Sequence, residues 1–487
     1  MATLIPRSNV MIKKLLPFFT LVFITNTISF AQIDWTANKK DIESSIEKHE
    51  KALIKISDAI WSHPEVALEE YKSSKVLADY AQKNGFDVER GVAGMPTAFI
   101  ASYGKGSPRI GILGEFDANA GISQKLKPVK EALIEGAPGH GCGHNLFGTA
   151  SLGAAIAIKE LIQKKKLKGT IVFYGTPAEE TIFGKVWFAR EGLFNNLDVC
   201  MDWHPSDIIE ASTQSSKALI DFRVKFTGNT AHASSDPWNG YSAVDAMELF
   251  TTGINYYREH VKPTTRIHYQ IEKAGDVVNV VPDYAQIWVR VRENDRESLN
   301  VVYERVKKIA AGGALMAEVD HEVSLISGIY EILPNRRGAA VVQTNFELLG
   351  PLKYSASETE YAKAIQKATN KPQVGMDGEI YPMRETLPAQ GGSTDVGDVS
   401  QIVPIVRLRT PTAPKDAPWH SWAVVACTGM SIGHKGMLHA SKALGMTMVD
   451  IFEDPKLVKE IKAEFKERKG SRRYEPMIPP GPPPIKR

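Results

Sequence analysis

Three short apolar runs in the first half of the chain each end in residues able to bind a metal or move a proton, and that repeated ending is what most constrains the fold. Residues 110–114 lead into Glu115-Phe116-Asp117, residues 170–175 into Thr176-Pro177-Ala178-Glu179-Glu180, and residues 197–201 into Asp202-Trp203-His204. Each run has the length of a strand and is bounded by turn residues. Between the first two lie a glycine-rich loop and an apolar helical stretch over 149–162. Strand, polar loop, helix and strand again is the alternation of an α/β domain with a largely parallel sheet. Ligands in such sheets bind beyond the carboxyl ends of the strands, so chain order alone gathers Asp117, Glu179, Glu180 and His204 on one edge.

A chain of 487 residues exceeds the size, about 250–300 residues, at which single cores stop growing, so two domains are expected. Helical patterns cover 34–62 and 69–84, the second stopped by Gly85, and strands at 98–103 and 110–114 read as neighbours. The middle of the chain changes rhythm: strand 218–226, helix 243–257, strands 266–271 and 284–291, helix 297–311, strand 322–327. Two β-α-β units of this kind predict a small α+β domain inserted over 215–335, dividing the larger domain into 32–214 and 336–470. Residues 335–338 read as the return linker. Beyond it come helices 357–370, with Ser357 as N-cap, and 433–451, with strand 402–408 between them. The proline-rich segment 471–487 is expected to lie extended on the surface.

At the N-terminus Lys13-Lys14 precede an apolar run over 15–24, closed by Ser29-Phe30-Ala31. About ten apolar residues fall short of the roughly 18 of a spanning helix, so 1–31 reads as a secretory signal cleaved after Ala31, with Met11 as an alternative start. A secreted or periplasmic protein with no membrane span after cleavage is expected. Removing 1–31 takes Arg7, Lys13 and Lys14 and lowers the formal charge from +3 to 0, leaving no basic field to attract nucleic acid. Three cysteines are too few for a disulfide framework, and Cys200 and Cys427 read as buried thiols rather than a bridge.

The third, Cys142, stands in Gly139-His140-Gly141-Cys142-Gly143-His144-Asn145, where glycines allow a tight bend that aims a thiol and an imidazole at one point. Thiolate, imidazole and carboxylate together suit zinc or manganese. Two ions about 3.5–4 Å apart would be bridged by Cys142, with His144, Glu180, His204 and His420 as terminal ligands. Taken alone, His204 reads better as an ordinary core or surface histidine, and His420 is similarly ambiguous. Glu179 and Glu180 point opposite ways if the backbone is extended, so one binds metal and Glu179 is left as general base. Asp117 is placed to orient a ligand through a hydrogen bond. His232 sits in a turn, and Arg290 and Arg292 share a strand face near Asn279; pattern alone favours a solvated sheet face there.

The blocks Gly114-Glu115-Phe116-Asp117-Ala118, 136–146, Thr176-Pro177-Ala178-Glu179-Glu180, Asp202-Trp203-His204-Pro205, 392–400 and the turn at His420 resemble those of a family of metal-dependent amidohydrolases. The family includes aminoacylases, indoleacetyl-amino-acid hydrolases, carboxypeptidase G and aminobenzoyl-glutamate hydrolases. The resemblance implies a two-metal peptidase-type catalytic domain and an inserted lid that dimerises. It implies metal ligands at Cys142, His144, Glu180, His204 and His420, a base at Glu179, and His232 reaching the partner's site to stabilise the oxyanion. Substrate contacts are implied at Asn279, Arg292, Ser393 and Thr394, reversing the pattern-only reading of the lid. Glu115 where many relatives carry histidine, Asn119-Ala120 in place of Leu-Pro, and Asn145 in place of aspartate favour the aminobenzoyl-glutamate branch over the aminoacylases.

The expectation is therefore hydrolysis of the amide of an N-acyl amino acid, p-aminobenzoyl-glutamate-like, by a homodimer or a heteromer with a related subunit. An aminoacylase or dipeptidase with the same machinery is the enzymatic rival. A non-catalytic periplasmic protein that binds acyl-amino acids is the rival from another class, and a free Glu179 argues against it, since a structural site needs no base.

Overall fold

The computed structural model describes residues 35–385, 389 and 391–485; the secretory segment read at 1–31 lies outside them. Eleven strands form two sheets among the described residues. The first holds β1 (Asp87–Arg90), β2 (Phe99–Lys105), β3 (Arg109–Glu115), β4 (Gly169–Thr176), β5 (Val199–Ser206) and β6 (Glu210–Ser212). The second holds β7 (Ala218–Thr227), β8 (Arg266–Ala274), β9 (Tyr284–Glu293) and β10 (Asp320–Ile329), before β11 (Ile405–Pro411) returns to the first.

The first sheet runs β1-β2-β4-β3-β5-β11-β6. Its centre is parallel, β4 to β3, β3 to β5 and β5 to β11, while β1, β2 and β6 pair antiparallel at the flanks. Every residue of β4 is buried, as expected of a parallel strand covered on both faces. One face carries the apolar helix His144–Gln163, itself covered by helices Ala37–Ser62 and Ser431–Glu453. The other carries Trp187, Phe188, Val396 and Val399 from the short helices Gly184–Arg190 and Val396–Ser400.

Three expectations need correction. β2 and β3 are not neighbours: β4 lies between them, since sequence adjacency does not set order in a sheet. Asn335 begins a helix instead of a linker, its side chain accepting from Gly338 N at the cap of Arg336–Leu349. The cap of helix Ala356–Ala368 is Ser355, in a capping box with Glu358, two residues before Ser357.

The second sheet, β10-β7-β9-β8, is antiparallel throughout. Helices Ala243–Tyr257 and Arg296–Met316 cover one face and close a separate apolar core around Phe222, Phe226 and Phe250. Three free, buried cysteines agree with the reading of Cys200 and Cys427 as unbridged.

Candidate metal and catalytic centre

Because β3, β4, β5 and β11 are parallel, their carboxyl ends share one edge, and the polar residues that follow converge there. Gly143, at φ +76°, makes the left-handed turn that starts helix His144–Gln163 and places Cys142 and His144 on either side of it. The segment carrying His420 is tied to this turn by His420 N donating to Gly141 O at 3.0 Å.

Five residues read from the sequence as ligands fall into two triads that share one atom. Cys142, His144 and His204 form one; Cys142, Glu180 and His420 form the other, with the ligand atoms of each within 4.8 Å of one another. Cys142 Sγ is 3.4 Å from His204 Nε2, and His420 Nε2 is 3.6 Å from Glu180 Oε2. A thiol common to both sets is the geometry a bridging ligand needs.

Each buried imidazole is held by its other nitrogen. His144 Nδ1 bonds Asp117 Oδ1 at 2.9 Å, and His204 Nδ1 donates to Pro205 O at 2.7 Å, which leaves both Nε2 atoms turned inward. Asp117 also accepts from Glu180 N at 2.9 Å, so one carboxylate orients an imidazole from one loop and a glutamate from another. Glu115 Oε2, His144 Nε2 and Glu180 Oε1 are buried and face one another, the carboxylate oxygens 3.1 Å and 3.9 Å from the imidazole nitrogen, with no well-formed hydrogen bond among the described residues. Orphaned donors and acceptors converging with a thiol fit a pair of divalent cations.

The electrostatics agree. Burial, with Glu180 beside it, pushes the Cys142 thiol far above its ordinary range, a penalty that a cation removes. Burial and the charge on His144 hold His204 well below the usual histidine value, and therefore neutral. Burial works against charge on His144, but Cys142, Glu115 and the bond to Asp117 outweigh it and raise its pKa. Burial, then Glu115, Glu180 and Asp395, push Glu179 well above the carboxylate range, and a cation held in the cradle would draw it back.

Glu179 and Glu180 do diverge, though not by strand alternation. The chain leaves β4 at Thr176 and turns at Ala178, at φ +64°, so that Glu179 joins Glu115 and His144 while Glu180 joins Cys142 and His420. Buried Glu70 holds this turn, accepting from Ala178 N at 2.9 Å and from Thr97 Oγ1 at 2.9 Å.

The sequence reading passed over a buried ion cluster. Lys185 Nζ lies 2.6 Å from Glu115 Oε1 and 2.7 Å from Asp395 Oδ1, all three fully buried, with Glu115 Oε2 3.1 Å from His144 Nε2. A lysine inside the apolar helix Gly184–Arg190 was the available signal.

The residues for which the resemblance implies substrate contacts separate into two places. Arg292, on β9, donates to Ser393 Oγ at 3.1 Å, whereas Arg290 spends its charge on Asp221 at 2.6 Å. Thr394 Oγ1 accepts from Val396 N at 3.3 Å, at the start of a short helix. His232 and Asn279 stand exposed on adjoining loops of the second sheet, joined by Ala233 N donating to Asn279 O. Among the described residues no hydrogen bond or ion pair joins them to Cys142 or Glu179.

Known proteins are similar to this chain in sequence and in fold. Residues 214–315 match the family model for a peptidase dimerisation domain. The chain is 36% identical to one of the subunits of the p-aminobenzoyl-glutamate hydrolase of Escherichia coli over 90% of its own length and 97% of the relative's. It is 28% identical to human Xaa-Arg dipeptidase, covering 86% and 90% of the two chains. A solved Bacillus subtilis structure, described as a dinuclear metal-binding peptidase of the M20 family, superposes with a TM-score of 0.55 at 16% identity over 84% of this chain and 99% of that one. Fold and extended sequence identity together make this chain a metal-dependent amidohydrolase of the M20 peptidase family.

Proposed function

We propose that the protein cleaves the amide of an N-acyl amino acid whose amino-acid half is acidic, with p-aminobenzoyl-glutamate as the representative substrate. The observation that carries this reading is Arg292. It is half-buried, its pKa pushed down by burial and by neighbouring Arg290, and its hydrogen bond goes to a serine rather than a carboxylate. A desolvated cation without a carboxylate partner favours an anionic ligand, and the relative in E. coli is named for a glutamate conjugate.

Two divalent ions, manganese or zinc, held by Cys142, His144, Glu180, His204 and His420 would supply a water nucleophile deprotonated near neutral pH and polarise the scissile carbonyl. Arg292 and Ser393 hold the carboxylate and so fix the amide against Glu179. Glu179 takes the proton of the attacking water and returns it to the leaving amine nitrogen. Asp117 keeps His144 and Glu180 aimed throughout. His232 and Asn279, on the exposed loops of the dimerisation domain, serve the site of a neighbouring subunit, where His232 stabilises the oxyanion. That neighbour is a second copy or a related chain, a reading supported by the E. coli relative's being one subunit of its hydrolase. Lys13-Lys14 and the apolar run behind them support a secreted or periplasmic location.

The test is a substrate panel on the manganese- and zinc-loaded protein: p-aminobenzoyl-glutamate, p-aminobenzoyl-glycine, N-acetyl amino acids and Xaa-Arg dipeptides. The reading predicts that kcat/KM for the glutamate conjugate exceeds that for the glycine conjugate by about tenfold or more. Preference for Xaa-Arg dipeptides would overturn it.

A further inference from the structure

The proline-rich segment beyond residue 470 forms no helix among its described residues, as its composition predicts, but it is not loose on the surface. Tyr474 Oη donates to Asp398 Oδ1 at 2.9 Å, and its ring lies 5.4 Å from that of Tyr330. Gly328 N, near the end of β10, donates to Met477 O at 2.6 Å. Arg190 Nη1 donates to Gly481 O at 2.8 Å, and buried Pro483 sits so close to Gly94 that a Cβ there would stand 3.3 Å from its Cδ. Proline suits this course, since its fixed φ keeps the chain extended and it brings no N–H that needs a partner.

The segment thus passes from the foot of the second sheet to the mouth of the crevice. There Pro484 joins Glu180 and His420 in lining a cavity of about 610 Å³. Much of the remaining lining is apolar, with Leu68, Ile122 and Ile182 in it, and among the described residues it includes no lysine or arginine. The carboxylate of the amino-acid half would meet no lysine or arginine in this cavity. An acyl group, neutral and aromatic, would meet apolar walls directly beside two of the ligand residues, on a side of the centre that Arg292 and Ser393 do not line.

We propose that Pro484, held in place by its neighbours in 482–485, forms one wall of the acyl-group pocket and sets the largest acyl group the enzyme accepts. The inference rests on the acyl-amino-acid reading for which half of the substrate enters this cavity. It makes a specificity element of a segment that contributes no metal ligand and no proton-transfer group.

Two variants push the wall in opposite directions. Ending the chain after Gly481 removes the wall while keeping the Tyr474, Met477 and Gly481 anchors; Pro484→Trp thickens it. Calorimetry on wild type and both variants gives dissociation constants for 4-aminobenzoate and biphenyl-4-carboxylate, and turnover of the matching acyl-glutamates is followed in parallel. Truncation is expected to shift the affinity ratio toward the biphenyl acid by about tenfold, and Pro484→Trp to shift it the other way by a similar factor. A ratio that stays constant in both folded variants, or absence of acid binding in all three proteins, overturns the proposal. Acid binding that shifts as expected without turnover of any acyl-glutamate would instead sink the proposed reaction and leave the wall standing.

Discussion

Glu70 Oε1 accepts a hydrogen bond from Ala178 N at 2.9 Å, and this bond holds the left-handed turn that sends Glu179 and Glu180 to different partners. A glutamine keeps the accepting oxygen, whereas alanine leaves Ala178 N buried and unpaired. Glu70→Ala is therefore expected to cost about 1–3 kcal/mol of stability and to lower kcat more than KM rises. Glu70→Gln should stay close to wild type in both. Urea denaturation and steady-state kinetics on the two variants check this.

Cys142 belongs to both ligand triads, so its loss should weaken both metal positions together. In Cys142→Ala, metal affinity measured by calorimetry should fall by more than about 100-fold, beyond what loss of an outer hydrogen-bond partner costs. Far-UV circular dichroism should be unchanged. Loss of one metal equivalent with the second retained at full affinity would contradict a bridging thiol.

Lys185 pairs its single charge with both Glu115 and Asp395, and all three side chains are buried. Burial pushes Glu115 up to about 7 even with the lysine in place, so removing the cation leaves two poorly compensated carboxyls. Lys185→Met should lower stability by about 3–5 kcal/mol, read from the denaturant midpoint.

Asp398 accepts from Tyr330 N at 3.1 Å and from Tyr474 Oη at 2.9 Å, and burial pushes its pKa from 3.8 up to about 7. The folded state therefore binds this proton more tightly than the unfolded one, and wild type loses stability as pH rises from about 4 to 7. Asp398→Asn keeps the shape without the charge. The stability of the variant relative to wild type, read from denaturant midpoints, should climb across that window and level off above it, the gap reaching on the order of 1–4 kcal/mol at about 1.4 kcal/mol per pKa unit.

Much of this centre could be read from the chain because buried parallel strands announce themselves as apolar runs, and their polar endings then fall on one edge by topology. Asp117, Glu179, Glu180 and His204 come together for that reason. Cys142 and His420 lie on loops, where spacing says nothing about direction; the bond from His420 N to Gly141 O that joins them is a long-range contact. Sheet order escaped, because β4 inserts between β3 and β2 and neither strand's composition records its neighbour. Glu70, Lys185 and Asp395 escaped because charged residues read as solvated until packing shows them buried. The proline-rich segment forms no helix, in keeping with its composition, but its anchors at Asp398, Gly328 and Arg190 are distant in sequence and leave no local mark.

On the proposed mechanism Glu179 moves the proton while its neighbour Glu180 binds metal. The direct measurement is turnover of p-aminobenzoyl-glutamate by Glu179→Gln beside wild type, with metal content determined on the same samples. Two bound metals are expected in both proteins, with a kcat lower by about 10²- to 10⁴-fold in the variant. Equal turnover at equal metal content, or a variant that loses its metals, would contradict this mechanism.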